Sequence, residues 1–431
     1  PDNQQVEPLL DEAGKTRWVT AADFAAGIER FLGTNEQKEY HFLRQLLTSS
    51  STMKITAVNE RILVAEFSQA FPWLELFFAL PVSTAVPVGY VPNPQAIPPS
   101  YGSLVVKGWY PNNSIFLAAN PYWNGTPAIP SANLQEIEIL NIFLDDPIQA
   151  YKSQYTMAVW LNLQQAQTAR EQADIAPQMV TRFDTCLTYL AYDTRTKPFH
   201  HASVRLAFSL GIDRQQVLSD AGQSQLQPDS FLPEWARHTP PADIFPDIAL
   251  QYQPEQARAM LNSLYPDPAL IPELTLVSTN DRWSKDIAIS LTRQWEQTLG
   301  IQVKRKAVDA ANLPALLSSS PSPQLRIGRY CPSIPHAIYL FQSWLLDPQQ
   351  NISAWADEIG DQLLQAAIDE TDPLRRQETL LLLQDRLIRQ ESVLLPLAWD
   401  RQITLSHPSL LRQEVKAAWM EQLEQWVILQ P

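Results

Sequence analysis

The stretch from Cys186 to Leu218 constrains the fold most, because it sets a strand, a turn and two helices in a fixed order. Leu187 to Tyr192 is a run of aliphatic and aromatic residues that predicts a buried strand. Pro198 follows a polar turn, and apolar residues then recur at the three- and four-residue spacing of a helix. Asp213 is placed to cap a second helix by accepting hydrogen bonds from its first N–H groups. The stretch therefore predicts an α/β architecture.

Local signals also predict the ends of three other helices. Thr20 is placed to cap a helix that ends near Gly33. Gly300 is placed to end the helix that begins near Ile287. Asp372-Pro373 is placed to begin a further helix, with proline at its first position.

Length and charge limit what the rest of the chain can be. At 431 residues the chain exceeds what one compact core usually supports, so we expect two or three lobes. The net charge is −14 and no lysine or arginine cluster stands out, which argues against nucleic acid and anionic membranes as main partners. The best candidate for a membrane-spanning helix, Leu74 to Val91, is interrupted by Pro81 and Pro87. Its uninterrupted apolar runs are therefore shorter than the roughly 20 residues that cross a bilayer.

Sequence templates for catalysis and metal binding are missing. The chain has no G-x-S-x-G, H-E-x-x-H, P-loop or G-x-G-x-x-G motif. Its six histidines are dispersed, and the His200-His201 doublet lacks the spacing of a metal site. Acidic pairs such as Asp145-Asp146 lie in polar segments that favour solvent exposure. We therefore expect no enzyme, no metal site and no cofactor.

The Cys186–Leu218 stretch resembles the signature of extracellular solute-binding protein family 5, the dipeptide- and oligopeptide-binding proteins of ABC importers. That signature reads as an apolar strand, P-F, and then V-R-x-A-[FL]-x-x-[AG]-[IM]-[DN]-R. The matching positions are Pro198, Phe199, Val204, Arg205, Ala207, Ile212, Asp213 and Arg214. The resemblance implies that this stretch enters a second lobe, where Arg205 and Asp213 support helix packing.

Weaker similarities extend the resemblance from Val19 to about Trp399. They include a V-T-A-A-D-F element at residues 19–24, N-P-Y-W at 120–123, Q-P-E-Q-A at 253–257 and L-P-L-A at 395–398. The fold class implied is α/β and periplasmic-binding-protein-like (class II, large cluster C type), with a ligand cleft between two main lobes. The implied lobes are an accessory lobe (1–90, without the family's N-terminal strands), a first main lobe (91–185 and 403–431) and a second main lobe (186–402).

The two cysteines, Cys186 and Cys331, stand at places where oligopeptide-binding members of the family have a disulfide. The resemblance therefore implies a Cys186–Cys331 disulfide and an oxidising, extracytoplasmic location. Two buried free thiols are the alternative.

The implied binding residues depart from the family pattern. In peptide-binding members the aspartate of W-C-A-D captures the ammonium group of the ligand; here Ser333 takes its place and Tyr330 replaces the tryptophan. Serine cannot neutralise an ammonium, so recognition of a free peptide N-terminus is in doubt. Arg326 and Arg329 could meet an anionic group, although alternation along the strand should expose only one of them.

Other residues that the resemblance places at the cleft are Asn280 and Trp283, near the start of a long helix, and Trp399 and Asp400, at the end of the L-P-L-A strand. Their alternative roles are a helix cap, an exposed loop or a packed tryptophan.

Two functions fit the sequence. The first is the substrate-binding protein of an ABC importer: a periplasmic or extracytoplasmic monomer that captures a peptide or other small solute by hinge closure. It would deliver the solute to ABC permease subunits, and a lipid upstream of residue 1 could anchor it. The second is the ligand-sensing domain of a transcriptional regulator, which reduced cysteines and a cytoplasmic location would favour. The sequence does not identify the ligand.

Overall fold

The structure is a computed structural model that divides the chain into two compact units. Unit 1 comprises Pro1–Arg182 and Gln402–Pro431, and unit 2 comprises Phe183–Arg401. The residues that the structure describes are 17–33, 40–50, 52–91, 101–126, 129–140, 145–223, 226, 230–233, 250–317, 319, 322–332, 334, 336–346, 351, 353–411, 423 and 426–428.

Unit 1 contains short helices and small antiparallel sheets. The helices are α1 (Ala21–Gly33), α2 (His41–Gln45), α3 (Leu74–Ala79), α4 (Pro147–Lys152) and α5 (Leu163–Arg170). The strands are β1 (Met53–Asn59), β2 (Ile62–Phe67), β3 (Leu104–Tyr110), β4 (Ser114–Ala119), β5 (Glu136–Leu140), β6 (Ala158–Leu161), β12 (Leu410–Leu411) and β13 (Val427–Ile428). β1 pairs with β2, and β3, β4 and β5 form a meander.

Helix α1 begins where the sequence predicts. The backbone N–H and the hydroxyl of Thr20 donate to the Asp23 carboxylate at 2.9 and 3.0 Å. Asp23 therefore provides a hydrogen-bond acceptor for the residue that precedes the helix, as the acidic residue of a capping box does. The Asp23 carboxylate also accepts from the Val88 N–H at 3.0 Å and pairs with Arg17. Burial alone would raise the pKa of Asp23, but these hydrogen bonds lower it below its usual value.

Unit 2 is built on a mixed sheet flanked by helices. The helices are α6 (Ala202–Leu210), α7 (Arg214–Asp220), α8 (Pro254–Leu264), α9 (Arg282–Leu299), α10 (Leu313–Leu317), α11 (Ala337–Leu346), α12 (Glu358–Asp369) and α13 (Pro373–Asp385). The strands are β7 (Met179–Tyr192), β8 (Leu274–Thr279), β9 (Val303–Val308), β10 (Leu325–Tyr330) and β11 (Leu394–Ser406). Their order is β11-β7-β10-β8-β9, with β8 parallel to β9 and β10, and β10 antiparallel to β7.

Several predicted helix ends of unit 2 are confirmed. Asp213 caps α7 by accepting from the Gln216 N–H at 3.0 Å. Gly300 ends α9 with a φ of +71°, a left-handed conformation that favours glycine. Asp372 caps α13 by accepting from the Leu374 N–H at 2.9 Å, with Pro373 in the first turn.

The main core of unit 2 lies between the sheet and helices α6, α8 and α9. Apolar residues of these elements are almost completely buried there. Trp295 of α9 is fully buried, and its indole N–H donates to the Phe208 carbonyl at 2.9 Å, which joins α9 to α6. Burying side chains of this kind contributes roughly 1.5–3 kcal/mol each, so this core fixes the sheet against its helices.

Strands β7 and β11 are both longer than the sequence predicts. β7 begins at Met179 rather than near Leu187, and β11 continues past Trp399 to Ser406. The added part of β11 pairs with β6, from Ile403 opposite Leu161 to Ser406 opposite Ala158. Pairing with a strand that is distant in sequence leaves no local pattern. The hydrophobic periodicity of the sequence therefore could not predict these extensions.

Candidate ligand-binding site

The candidate site lies where strands β10, β7 and β11 run side by side in unit 2. Arg329 of β10 stands opposite Thr188 of β7, and Asp400 belongs to β11 on the other side of β7. Arg329 Nε and Nη2 donate to Asp400 Oδ2 at 3.1 and 2.6 Å. The ion pair therefore reaches across Thr188, which is buried.

Trp283 joins this group from the neighbouring helix. It lies in the first turn of α9, which follows β8, and its indole N–H points to Thr188 Oγ1 at 3.4 Å. Its ring packs on a small apolar cluster of Leu218, Leu226 and Ala398. Because the carboxyl ends of parallel β8 and β10 share one edge of the sheet, three residues predicted from sequence, Arg329, Asp400 and Trp283, come together there.

The loop before α9 is held by a capping carboxylate. Asp281 accepts from the Ser284 N–H at 2.9 Å and from the Thr279 hydroxyl at 2.5 Å. Burial alone would raise the pKa of Asp281, but these hydrogen bonds outweigh it and lower the pKa, so the cap stays ionised at neutral pH. Asn280, a predicted ligand contact, is exposed beside this cap.

Tyr330 and Trp399 lie away from Arg329 and Asp400, inside the protein. Both are about 2% exposed. The Tyr330 hydroxyl donates to the Leu340 carbonyl at 3.0 Å, and the Trp399 N–H donates to the Ser230 carbonyl at 2.9 Å. Neighbouring strand residues point to opposite faces, so each buried aromatic is next in sequence to a polar site residue. Their contact with ligand stays a prediction, and Ser333 lies outside the described residues.

The two buried aromatics hold the segment 230–233 in place. The ring of Phe231 is parallel to that of Tyr330 and packs at 4.8 Å from Phe341, centre to centre. Leu232 donates its backbone N–H to Gln384 Oε1 of α13 at 2.6 Å. These contacts make the wall behind Arg329 and Asp400 a packed core, which keeps the strands that carry the site rigid.

Replacing Trp399 by phenylalanine should lower the free energy of unfolding by about 1–3 kcal/mol, because the buried Ser230 carbonyl loses its indole donor. Guanidinium unfolding followed by circular dichroism measures the change. Trp109→Phe is the control, since Trp109 of β3 is 50% exposed and should give no measurable loss. Equal stability of the two variants would contradict the role given to Trp399.

Arg326 does not belong to the site, contrary to the possibility that it meets an anion. It is buried, and its Nη2 donates to the equally buried Asp193 at 2.5 Å. Arg195 also donates to Asp193, from Nη2 at 2.8 Å. Of the two arginines on β10, Arg329 is the exposed one, as alternation along a strand predicts.

The predicted disulfide is confirmed. Cys186 and Cys331 are bonded, and their Cα atoms lie 4.1 Å apart. They lie next to the last ladder pair of β7 and β10, Leu187 opposite Tyr330: Cys186 is the residue before Leu187, within β7, and Cys331 is the residue after Tyr330. The bridge therefore joins the middle of β7, which carries Thr188, to the end of β10, which carries Arg329.

Sequence reasoning missed Thr188 and Phe231. Thr188 had a signal, since it is a small hydroxyl residue within the apolar run from Leu187 to Tyr192. Phe231 had none, because its partners come from distant parts of the chain.

Within the described residues, no three His, Cys, Asp or Glu side chains gather as metal ligands, and no helix is long and apolar enough to cross a membrane.

Comparisons with known proteins agree with this architecture. A family model described as "Bacterial extracellular solute-binding proteins, family 5 Middle" matches residues 16–351. The periplasmic murein peptide-binding protein MppA of Escherichia coli (strain K12) is 24% identical over 306 residues. That alignment covers 66% of this chain but only 56% of MppA, so the match spans just over half of this relative.

Solved structures align with this chain over almost its whole length, at lower sequence identity. MppA in its unliganded open form gives a TM-score of 0.76 at 18% identity, covering 96% of this chain and 83% of MppA. The ABC transporter substrate-binding protein CtaP of Listeria monocytogenes gives 0.76 at 16% identity, covering 98% and 86%. The predicted α/β binding-protein fold of class II is thus confirmed. Because the family model covers more than half of the sequence, the chain belongs to the bacterial extracellular solute-binding proteins of family 5.

Proposed function

We propose that this protein is the substrate-binding protein of an ABC importer, which binds a peptide or other small solute and delivers it to permease subunits. The family match over residues 16–351 carries the proposal. The name of MppA, a periplasmic murein peptide-binding protein, supports a peptide-like solute and a location outside the cytoplasm. A monomeric state and a lipid anchor upstream of residue 1 stay predictions.

The geometry of unit 2 fits binding better than catalysis. The Arg329–Asp400 pair and Trp283 offer charge, hydrogen bonds and an aromatic surface at the carboxyl end of β8 and β10, where α/β sheets commonly bind ligands. The sequence has no motif for a nucleophile or a catalytic acid–base pair, so we propose that the protein is not an enzyme. No observation favours the regulator.

Binding can be tested without knowing the solute. The full chain is unfolded and refolded by dialysis to remove bound molecules, and then melted with and without a peptide hydrolysate of casein filtered to below about 1 kDa. A ligand at about a hundredfold excess over its Kd stabilises by about 2.7 kcal/mol, so the Tm should rise by several degrees and saturate. An unchanged Tm with this hydrolysate and with a panel of free amino acids and small metabolites would contradict the receptor role.

A further inference from the structure

We propose that the Cys186–Cys331 disulfide is a redox switch for solute binding. A dithiol reductant opens the bond, and the reduced protein keeps its fold but binds its solute less tightly. The inference rests on the proposed receptor function, since it specifies how binding by the receptor is regulated. It goes beyond the presence of the bond, because it depends on the exposure of one cysteine and on the face of the sheet that the bond occupies.

One half of the disulfide is open to reagents in solution. Cys331 is exposed, whereas Cys186 is only 8% exposed. Thiol–disulfide exchange needs access to one sulfur only, because the attacking thiolate bonds to that sulfur and the other sulfur leaves. Labile and regulatory disulfides are commonly exposed ones, in contrast to protected structural bonds. We therefore expect the native protein to be reduced from the Cys331 side.

The reduction is a two-step exchange with the dithiol. One thiolate of the reductant attacks the Cys331 sulfur, the S–S bond of the protein breaks, and Cys186 leaves as a thiolate that takes up a proton. The second thiol of the reductant then displaces Cys331 from the mixed disulfide and forms the reductant's own disulfide. The protein gains two electrons and two protons, and the reductant loses the same number.

The disulfide lies on the face of the sheet that carries the candidate site. Cys186 and Cys331 stand directly opposite each other, one step beyond the last ladder pair of β7 and β10. Side chains two residues apart along a strand share a face, so the bond lies beside Thr188 on β7 and Arg329 on β10. Arg329 is the residue that pairs with Asp400. The bond is therefore a covalent tie between the strands at the edge of the site.

Opening the bond should free the chain after β10 without unfolding unit 2. β10 ends at Tyr330, whose hydroxyl donates to the Leu340 carbonyl at 3.0 Å and holds the strand end in the core. Pro332 has no N–H, so it cannot donate a further ladder bond to β7 after the disulfide opens. Cys331 would then leave β7 on the way to Ser333, a predicted ligand contact. Because the freed chain must be ordered again when solute binds, the affinity should fall by about threefold to thirtyfold.

Peptide retention by the two redox states tests the inference. The full chain, freed of bound molecules, is incubated with the casein hydrolysate either as the oxidised protein or after treatment with dithiothreitol. Gel filtration removes free peptides, and mass spectrometry quantifies the retained ones over a range of hydrolysate concentrations. Alkylation without denaturant counts the thiols in each sample, and circular dichroism at the same temperature measures the fold. Half-saturation should need about three to thirty times more hydrolysate when two thiols appear, and reoxidation should restore the original value.

The double variant Cys186→Ser with Cys331→Ser is the control for effects of the reagent. It should bind as the reduced wild type does, and dithiothreitol should leave its binding unchanged. Equal retention by oxidised and reduced protein would overturn the inference while the receptor role stands, whereas no retention in either state would overturn the receptor role. A native protein that shows no thiols under conditions that reduce the denatured chain, or a reduced protein that has lost its circular dichroism, would also overturn the switch.

Discussion

Replacing Asp193 by alanine should lower the free energy of unfolding by about 3–5 kcal/mol, because Arg326 would lose the buried carboxylate with which it pairs in the interior. Both side chains of this pair are almost completely buried. Lys304→Ala is the control, since Lys304 and its partner Glu273 are 66% and 68% exposed and an exposed ion pair contributes at most about 1 kcal/mol. Guanidinium unfolding followed by circular dichroism compares the variants. A loss below about 1 kcal/mol for Asp193→Ala would contradict the importance of the buried pair.

The same substitution should change the acid sensitivity of the protein. Burial alone would raise the pKa of Asp193, but the hydrogen bond from Arg195 and the charge of Arg326 outweigh it and lower the pKa below its usual value. Because the pKa of Asp193 is lower in the folded than in the unfolded protein, its carboxylate stabilises the fold at every pH above the unfolded-state pKa. This contribution is lost as the pH falls through the folded-state pKa. Melting curves between pH 5 and pH 2 should therefore show a smaller loss of Tm in Asp193→Ala than in the wild type.

Removing the Cys186–Cys331 disulfide should lower the free energy of unfolding by about 4–5 kcal/mol. The cysteines are 145 residues apart in sequence, and closing a loop of that length in the unfolded chain costs entropy of this size in the chain-entropy model. The double variant Cys186→Ser with Cys331→Ser measures the change by guanidinium unfolding. Since both serines leave the six ladder pairs of β7 and β10 in place, we expect the variant to fold.

Reduction provides the control for the disulfide. Treating the wild type with dithiothreitol should lower its stability to that of the double variant, and the same reagent should leave the variant unchanged. If the reduced wild type unfolds at the same guanidinium concentration as the oxidised protein, the bridge contributes little and the loop-closure estimate fails.

Local sequence patterns predicted the helix caps of this protein well. Asp213, Gly300 and Asp372 act at the ends of their helices as their residue types suggest, because a cap depends on only a few neighbouring residues. The strand signature also identified β7, although not its full length. Both features are short-range.

The candidate site was only partly predictable. Alternation indicated that one of Arg326 and Arg329 would be exposed, but the choice depends on which face of β10 meets Asp193 and which meets Asp400. Those partners come from other strands. Likewise the burial of Tyr330 depends on Phe231, whose position follows from packing between distant segments.

Strands β7 and β11 each contain residues of both units, so the order of translation limits when parts of the fold can form. Unit 2 is continuous from Phe183 to Arg401, so all of its residues have been made before the chain ends. Unit 1 needs the strand segment Ile403–Ser406, which pairs with β6 and is translated only after unit 2. On a ribosome, the pairing of β6 with β11 can therefore form only after all of unit 2 has been translated.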